Sequence, residues 1–103
     1  MTDWSDLVRK ETAAVGLVSR YSEIVIKDPE LTLDQAEQLL AQIVKGRDAL
    51  LMIIERMKVA GSERQSVLTA SRLKDIWDGL EKAAIARMEI IRMLEAAQPH
   101  GSA

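Results

Sequence analysis

Arg47 and Arg87 are the two side chains whose setting suggests chemistry, because each interrupts a helical run of apolar residues. A guanidinium enclosed among helices offers a planar fork of donors suited to a dianion. No other residue type joins them in a reactive constellation. His100 is the single histidine and sits between Pro99 and Gly101 in the terminal tail, a poor place for a metal ligand or general base. The chain has no Cys, which excludes disulfides, thiolate metal sites and cysteine nucleophiles. No Glu-x-x-His pair occurs, so the usual di-iron bundle signature is missing. The serines have no local histidine partner, and the five glycines are scattered rather than gathered in a phosphate loop. Catalytic, cofactor-binding and metal-ligating residues are therefore assigned to none.

The elements that must carry these residues are three long amphipathic segments. The first is expected over 3–27, with Thr2 or Asp3 as cap and Asp3 and Asp6 where the helix dipole is positive. Trp4, Leu7, Glu11, Ala14, Val18, Tyr21 and Val25 give it a heptad seam containing one charge. Asp28-Pro29 ends it, since proline disfavours helix at the residue before it. The second is expected over 33–60, opened by the capping box Thr32-x-x-Gln35 with Leu31 as staple. It carries two adjacent stripes, one through Leu33, Ala36, Leu40, Ile43, Arg47, Leu50, Ile54 and Met57, the other through Leu39, Gly46, Ile53 and Ala60. Two stripes predict contacts on two sides, so this helix is expected in the middle. Gly61 supplies a stop, and Ser62-x-x-Gln65 repeats the capping pattern. The third segment is expected over 63–97, with Gly79 either tolerated or bending it, and with a seam of Leu73, Ile76, Leu80, Ala83, Arg87, Ile90, Leu94 and Ala97. Trp77, Ala84 and Ile91 lie alongside. Residues 99–103 read as a flexible tail.

Short connections make sequential helices antiparallel, so the fold class is an all-α, up–down–up three-helix bundle in one domain. Reflection about each turn then estimates which residues meet. It brings Glu11 to Arg47 as an internal ion pair, with snorkelling of both to the rim as the alternative. It also brings Trp77 opposite Gly46, a large side chain facing a missing one. The third helix overhangs the second, and the overhang carries Ile91, Met93, Leu94, Ala96 and Ala97. Ile91, Met93 and Leu94 are the expected partner-binding residues, unless the first turn and Leu31 fold over them. Met52, Met57, Met88 and Met93 read as core filling.

Composition agrees with this class. In 103 residues, apolar types make up 48% and charged types 29%, too apolar for disorder. Aromatics are 3%, without Phe, so the core must be aliphatic. Net charge is −2 with both signs interspersed, which argues against nucleic acid as a partner. No apolar run approaches the roughly 20 residues that span a bilayer, and no secretion signal is read at the N-terminus. A cytoplasmic protein with no membrane, metal or cofactor partner is the expectation.

An N-terminal aromatic helix, then Leu39-Leu40, Lys45-x-Arg47, Leu50-Leu51 and Ile54-Glu55-Arg56, then a long helix with Leu73-x-x-Ile76, resembles the small helical export chaperones of flagellar and type III secretion. The resemblance runs from about Trp4 to Leu94. It implies a non-catalytic protein that holds a secretion substrate on an exposed helical surface. No residue role is carried over from it. The leading function is accordingly a protein–protein interaction module: chaperone, adaptor or regulatory antagonist. A structural homodimer is the first alternative. A small helical-bundle enzyme of chorismate-mutase type, using Arg47 and Arg87 on a dianion, is the second.

Overall fold

The computed structural model describes residues 3–97. Three helices account for nearly all of them: α1 (Trp4–Lys27), α2 (Leu33–Val59) and α3 (Arg64–Ala97). Each begins and ends within a residue of the expected bounds, and α3 runs without a break through Gly79.

Local chemistry explains the boundaries. Asp3 caps α1 by accepting from the Asp6 amide at 3.1 Å. At its other end Asp28 Oδ1 accepts from the Glu30 amide, an Asx turn across Pro29. Thr32 and Gln35 form the full capping box, each side chain accepting the other's backbone N–H. Gly61 adopts φ 69°, a left-handed conformation that glycine enters without steric cost. Around it the Gly61 amide donates to Lys58 O and the Ser62 amide to Met57 O, the paired bonds of a Schellman stop. Ser62 is thereby committed to closing α2. The capping box expected at Ser62 does not form, its Oγ has no hydrogen-bond partner among the described residues, and α3 starts at Arg64.

The order is up–down–up. Gly46 meets Trp77 and Arg47 meets Glu81, which makes α2 and α3 antiparallel. Residues 5–12 line a groove with residues 63–69, and Arg87 reaches Asp28, so α1 and α3 run parallel. The middle position belongs to α3, not to α2 as the double stripe suggested. Both other helices pack along α3, while α1 and α2 touch sparsely. The physical reason is length. At 34 residues α3 spans about 51 Å and offers both shorter helices a full-length surface.

Ile43, Leu50, Met57, Ala70, Trp77 and Ala84 form the centre of the core, with Val8 and Val15 reaching it from α1. A second cluster of Leu31, Ala36, Met88 and Ile91 closes the end near the first turn. Leu31 and Ala36 stand one before the cap and four after it, the positions of a hydrophobic staple. The molecule is a rod of 66 × 21 × 17 Å. Its 17.5 Å radius of gyration exceeds the roughly 13 Å of a compact chain this long.

Two seams are rotated from their expected faces. On α1 the buried column is Val8, Val15 and Ser22, not Leu7, Ala14 and Tyr21. On α3 it is Ala70, Leu73, Trp77, Ala84, Met88 and Ile91, while Ile76, Ile90 and Leu94 face outward. Met57 and Met88 fill core space as expected, but Met52 and Met93 are exposed.

Candidate functional site

Arg47 is half-buried on α2, and its partners lie on α3 and beside it. Its Nη1 donates to Glu81 Oε2 and lies 3.9 Å from Asp78 Oδ1, while Nε is 3.6 Å from Asp48 Oδ1. Partial desolvation pulls the guanidinium pKa down, but the charge and hydrogen bond of Glu81, with Asp48 and Asp78, more than reverse it. Lys74 extends the network, 2.8 Å from Asp78 Oδ2. Its hydrogen bond and charge hold the Asp78 carboxyl below its usual range, and the same contact raises Lys74. The cluster joins α2 to α3 and leaves Arg47 without spare charge for a dianion.

The Glu11–Arg47 pair does not form. Arg47 turns to α3 because α3, not α1, lies along α2. Glu11 makes no ion pair among the described residues, and burial raises its carboxyl pKa. Arg87 is held differently: its Nη2 donates to the neutral Asp28 carbonyl at 3.0 Å, which ties α3 to the end of α1, and its buried Nε has no hydrogen-bond partner among the described residues. His100 lies outside the described residues. Among the described residues no group of three or more His, Cys, Asp or Glu is placed to hold a metal. No described helix is long and apolar enough to cross a membrane.

The expected partner surface at the end of α3 divides. Ile91 is 6% exposed, because Leu31 and Ala36 fold over it from the staple of α2. It is core, and its assignment to a partner is corrected. Met93 and Leu94 remain 69% and 59% exposed.

A larger uncovered surface lies elsewhere. Because α1 and α2 both lean on α3 and barely touch one another, a groove of about 560 Å³ opens between them. Its α1 wall is Val18, Tyr21, Ile24 and Val25. Its α2 wall is Leu39 with Gln35, Gln38 and Gln42, three amides on one helical face. Leu31 and Asp28 close the end near the turn. On the α1 wall Tyr21 and Ile24 are 62% and 73% exposed, and Leu17, 68% exposed, continues the row one turn earlier at i, i+4 and i+7 spacing. A trough of about 740 Å³ on the outer side of α2, along Leu40, Val44 and Met52, is walled by that helix alone and lies more open to solvent.

The geometry suits a helix. Apolar side chains at i, i+4 and i+7 are the anchors that a helix-in-groove contact uses, and the opposing amides can pair with polar positions on the guest. Heptad spacing puts Tyr21 in the α1 seam and leaves Leu17 and Ile24 outside it. A usable signal was present. With Val8, Val15 and Val18 already sufficient for a seam, Leu17, Tyr21 and Ile24 are a surplus apolar column beside it.

No family model, curated protein or solved structure matches this chain.

Proposed function

We propose that this protein is a non-catalytic protein–protein interaction module, of chaperone, adaptor or antagonist type, whose α1–α2 groove takes an amphipathic helix of a partner protein. One observation carries the reading: of an exposed apolar row, Leu17, Tyr21 and Ile24, the last two line a groove between two helices that hardly touch. Four-helix bundles pack their helices around one shared core, and a guest helix here would occupy the fourth position. Each rim side chain fully covered by the guest contributes roughly 1.5–3 kcal/mol of apolar burial. The guest is expected to present apolar residues at i, i+3, i+4 and i+7 toward α1, with Ser, Asn or Gln toward the Gln35–Gln42 face. The likeness to the export chaperones points the same way, since they too hold a partner on a helical surface.

The test is a rim substitution that spares the fold. Ile24→Glu lies on an exposed position, so circular dichroism and melting temperature should stay close to wild type. Affinity for the partner helix should fall by at least about tenfold, as expected when an anchor residue is lost. Unchanged binding with an intact fold would remove the groove from the account.

A further inference from the structure

From Ile76 to the end of α3, every position at alternating three- and four-residue spacing is apolar and exposed: Ile76, Gly79, Ala83, Ala86, Ile90, Met93 and Ala97. This is an unbroken heptad seam, turned away from the column through Trp77, Ala84 and Ile91 that packs into the bundle. Left bare, it is a long apolar stripe on the central helix of the rod.

We infer that this stripe is the seam of an antiparallel pair with a second copy of the chain, its two-fold axis passing between Ala84 and Ile85. The sizes are self-complementary about that axis. Ile76 stacks on Met93 of the second copy, Gly79 receives Ile90, and Ala83 meets Ala86. Each layer repeats in reverse order, as an isologous two-fold contact requires. The small residues at the centre let the two backbones approach closely, and the large ones fill the ends.

Charge selects the same arrangement. Lys82 and Glu89 flank the stripe on its solvent side, both exposed and neither in an ion pair among the described residues. In the antiparallel pair Lys82 of each copy faces Glu89 of the other, giving two attractive contacts related by symmetry. A parallel pair in register would instead set Lys82 against Arg87 of the second copy and Gly79 against Gly79. That arrangement combines a like-charge contact with an empty layer, so parallel pairing is disfavoured twice. The stripe is distinct from the α1–α2 groove, and the pairing does not rest on the function proposed for that groove.

Sedimentation equilibrium of the full chain from micromolar to millimolar concentration tests the pairing. Wild type is expected to dimerise, and Ala83→Glu, which places two carboxylates at the axis, to weaken dimerisation by at least about tenfold while circular dichroism stays helical. Lys82→Glu and Glu89→Lys should each self-associate about five- to tenfold more weakly, since each turns both flanking pairs repulsive. Mixed one to one, those two chains should form a heterodimer at least as tight as the wild-type dimer, because both pairs become attractive again. Should Ala83→Glu lose helicity, the two charge variants carry the test alone. A wild-type chain that stays monomeric at millimolar concentration would overturn the inference. So would a dimer indifferent to these changes, a mixture no tighter than its components, or a dimer abolished by Ile24→Glu, which would place the contact in the groove.

Discussion

At Gly46 a missing side chain decides how two helices fit. A Cβ built there would lie 2.8 Å from Cζ2 and Cζ3 of Trp77, whose ring is a rigid body held in the core. Alanine is the better helix former by roughly 1 kcal/mol, yet here it must push an indole that has nowhere to go. Gly46→Ala is expected to destabilise by about 1–3 kcal/mol, and Trp77→Leu by about 2–4 kcal/mol through the cavity it leaves. In the Trp77→Leu background the obstacle is gone, so Gly46→Ala should become stabilising; denaturant melts of the four chains read the change of sign. This contact was legible in the sequence because α2 and α3 lie antiparallel along their whole overlap, so reflecting about the Gly61 turn finds true neighbours. The same reflection about the Pro29 turn produced the Glu11–Arg47 pair, and there it failed. α1 leaves the turn and follows α3 rather than α2, so its residues do not map back onto the helix that succeeds it.

At the scale of elements, starts, stops and helical type were readable, since caps, the proline and Gly61 act through chemistry a few residues wide. Which face each helix buries was less readable. Periodicity is equally regular for neighbouring columns, and on α1 and α3 an apolar column is left exposed beside the buried one. The buried column of α1 includes Ser22, fully enclosed with no hydrogen-bond partner for its hydroxyl among the described residues, and a half-buried Glu11 lies beside it. Such a seam holds its helix weakly, which fits a helix that borders the groove proposed to take a guest. Glu11 gives this a pH signature. Burial raises its carboxyl above the ordinary 4.5, so the folded state binds the proton more tightly than the unfolded state. Its contribution to stability is full below the unfolded pKa of about 4.5 and is lost as pH rises through the raised folded value. Glu11→Gln, which carries no charge at any pH, should therefore raise the melting temperature at pH 7. The gain over wild type should close by about pH 4, and thermal melts across that range check it. A gain that persists in acid would mean that something other than ionisation sets the cost of Glu11.

On the scale of the whole molecule, one long helix serves as a spine for two shorter ones and keeps apolar surface on the outside. The reading of an all-α, three-helix bundle holds. The division of its surfaces emerged only when the packing was known, because the sequence presents all apolar stripes alike. Trp77, Ala84 and Ile91 face inward on α3, and the more regular stripe through Ile76, Ala83 and Ile90 does not. Leu17, Tyr21 and Ile24 became a rim only because α1 and α2 part. The central claim is that the space between them is the vacant position of a fourth, foreign helix. Photo-cross-linking in the native host tests it most directly, with a benzophenone side chain placed singly at Ile24, at Gln38 on the facing wall, and at the exposed Glu55 outside the groove. The account predicts that positions 24 and 38 give an adduct of the same protein and that position 55 does not. Adducts that are absent from both groove positions, or identical at all three, would contradict it.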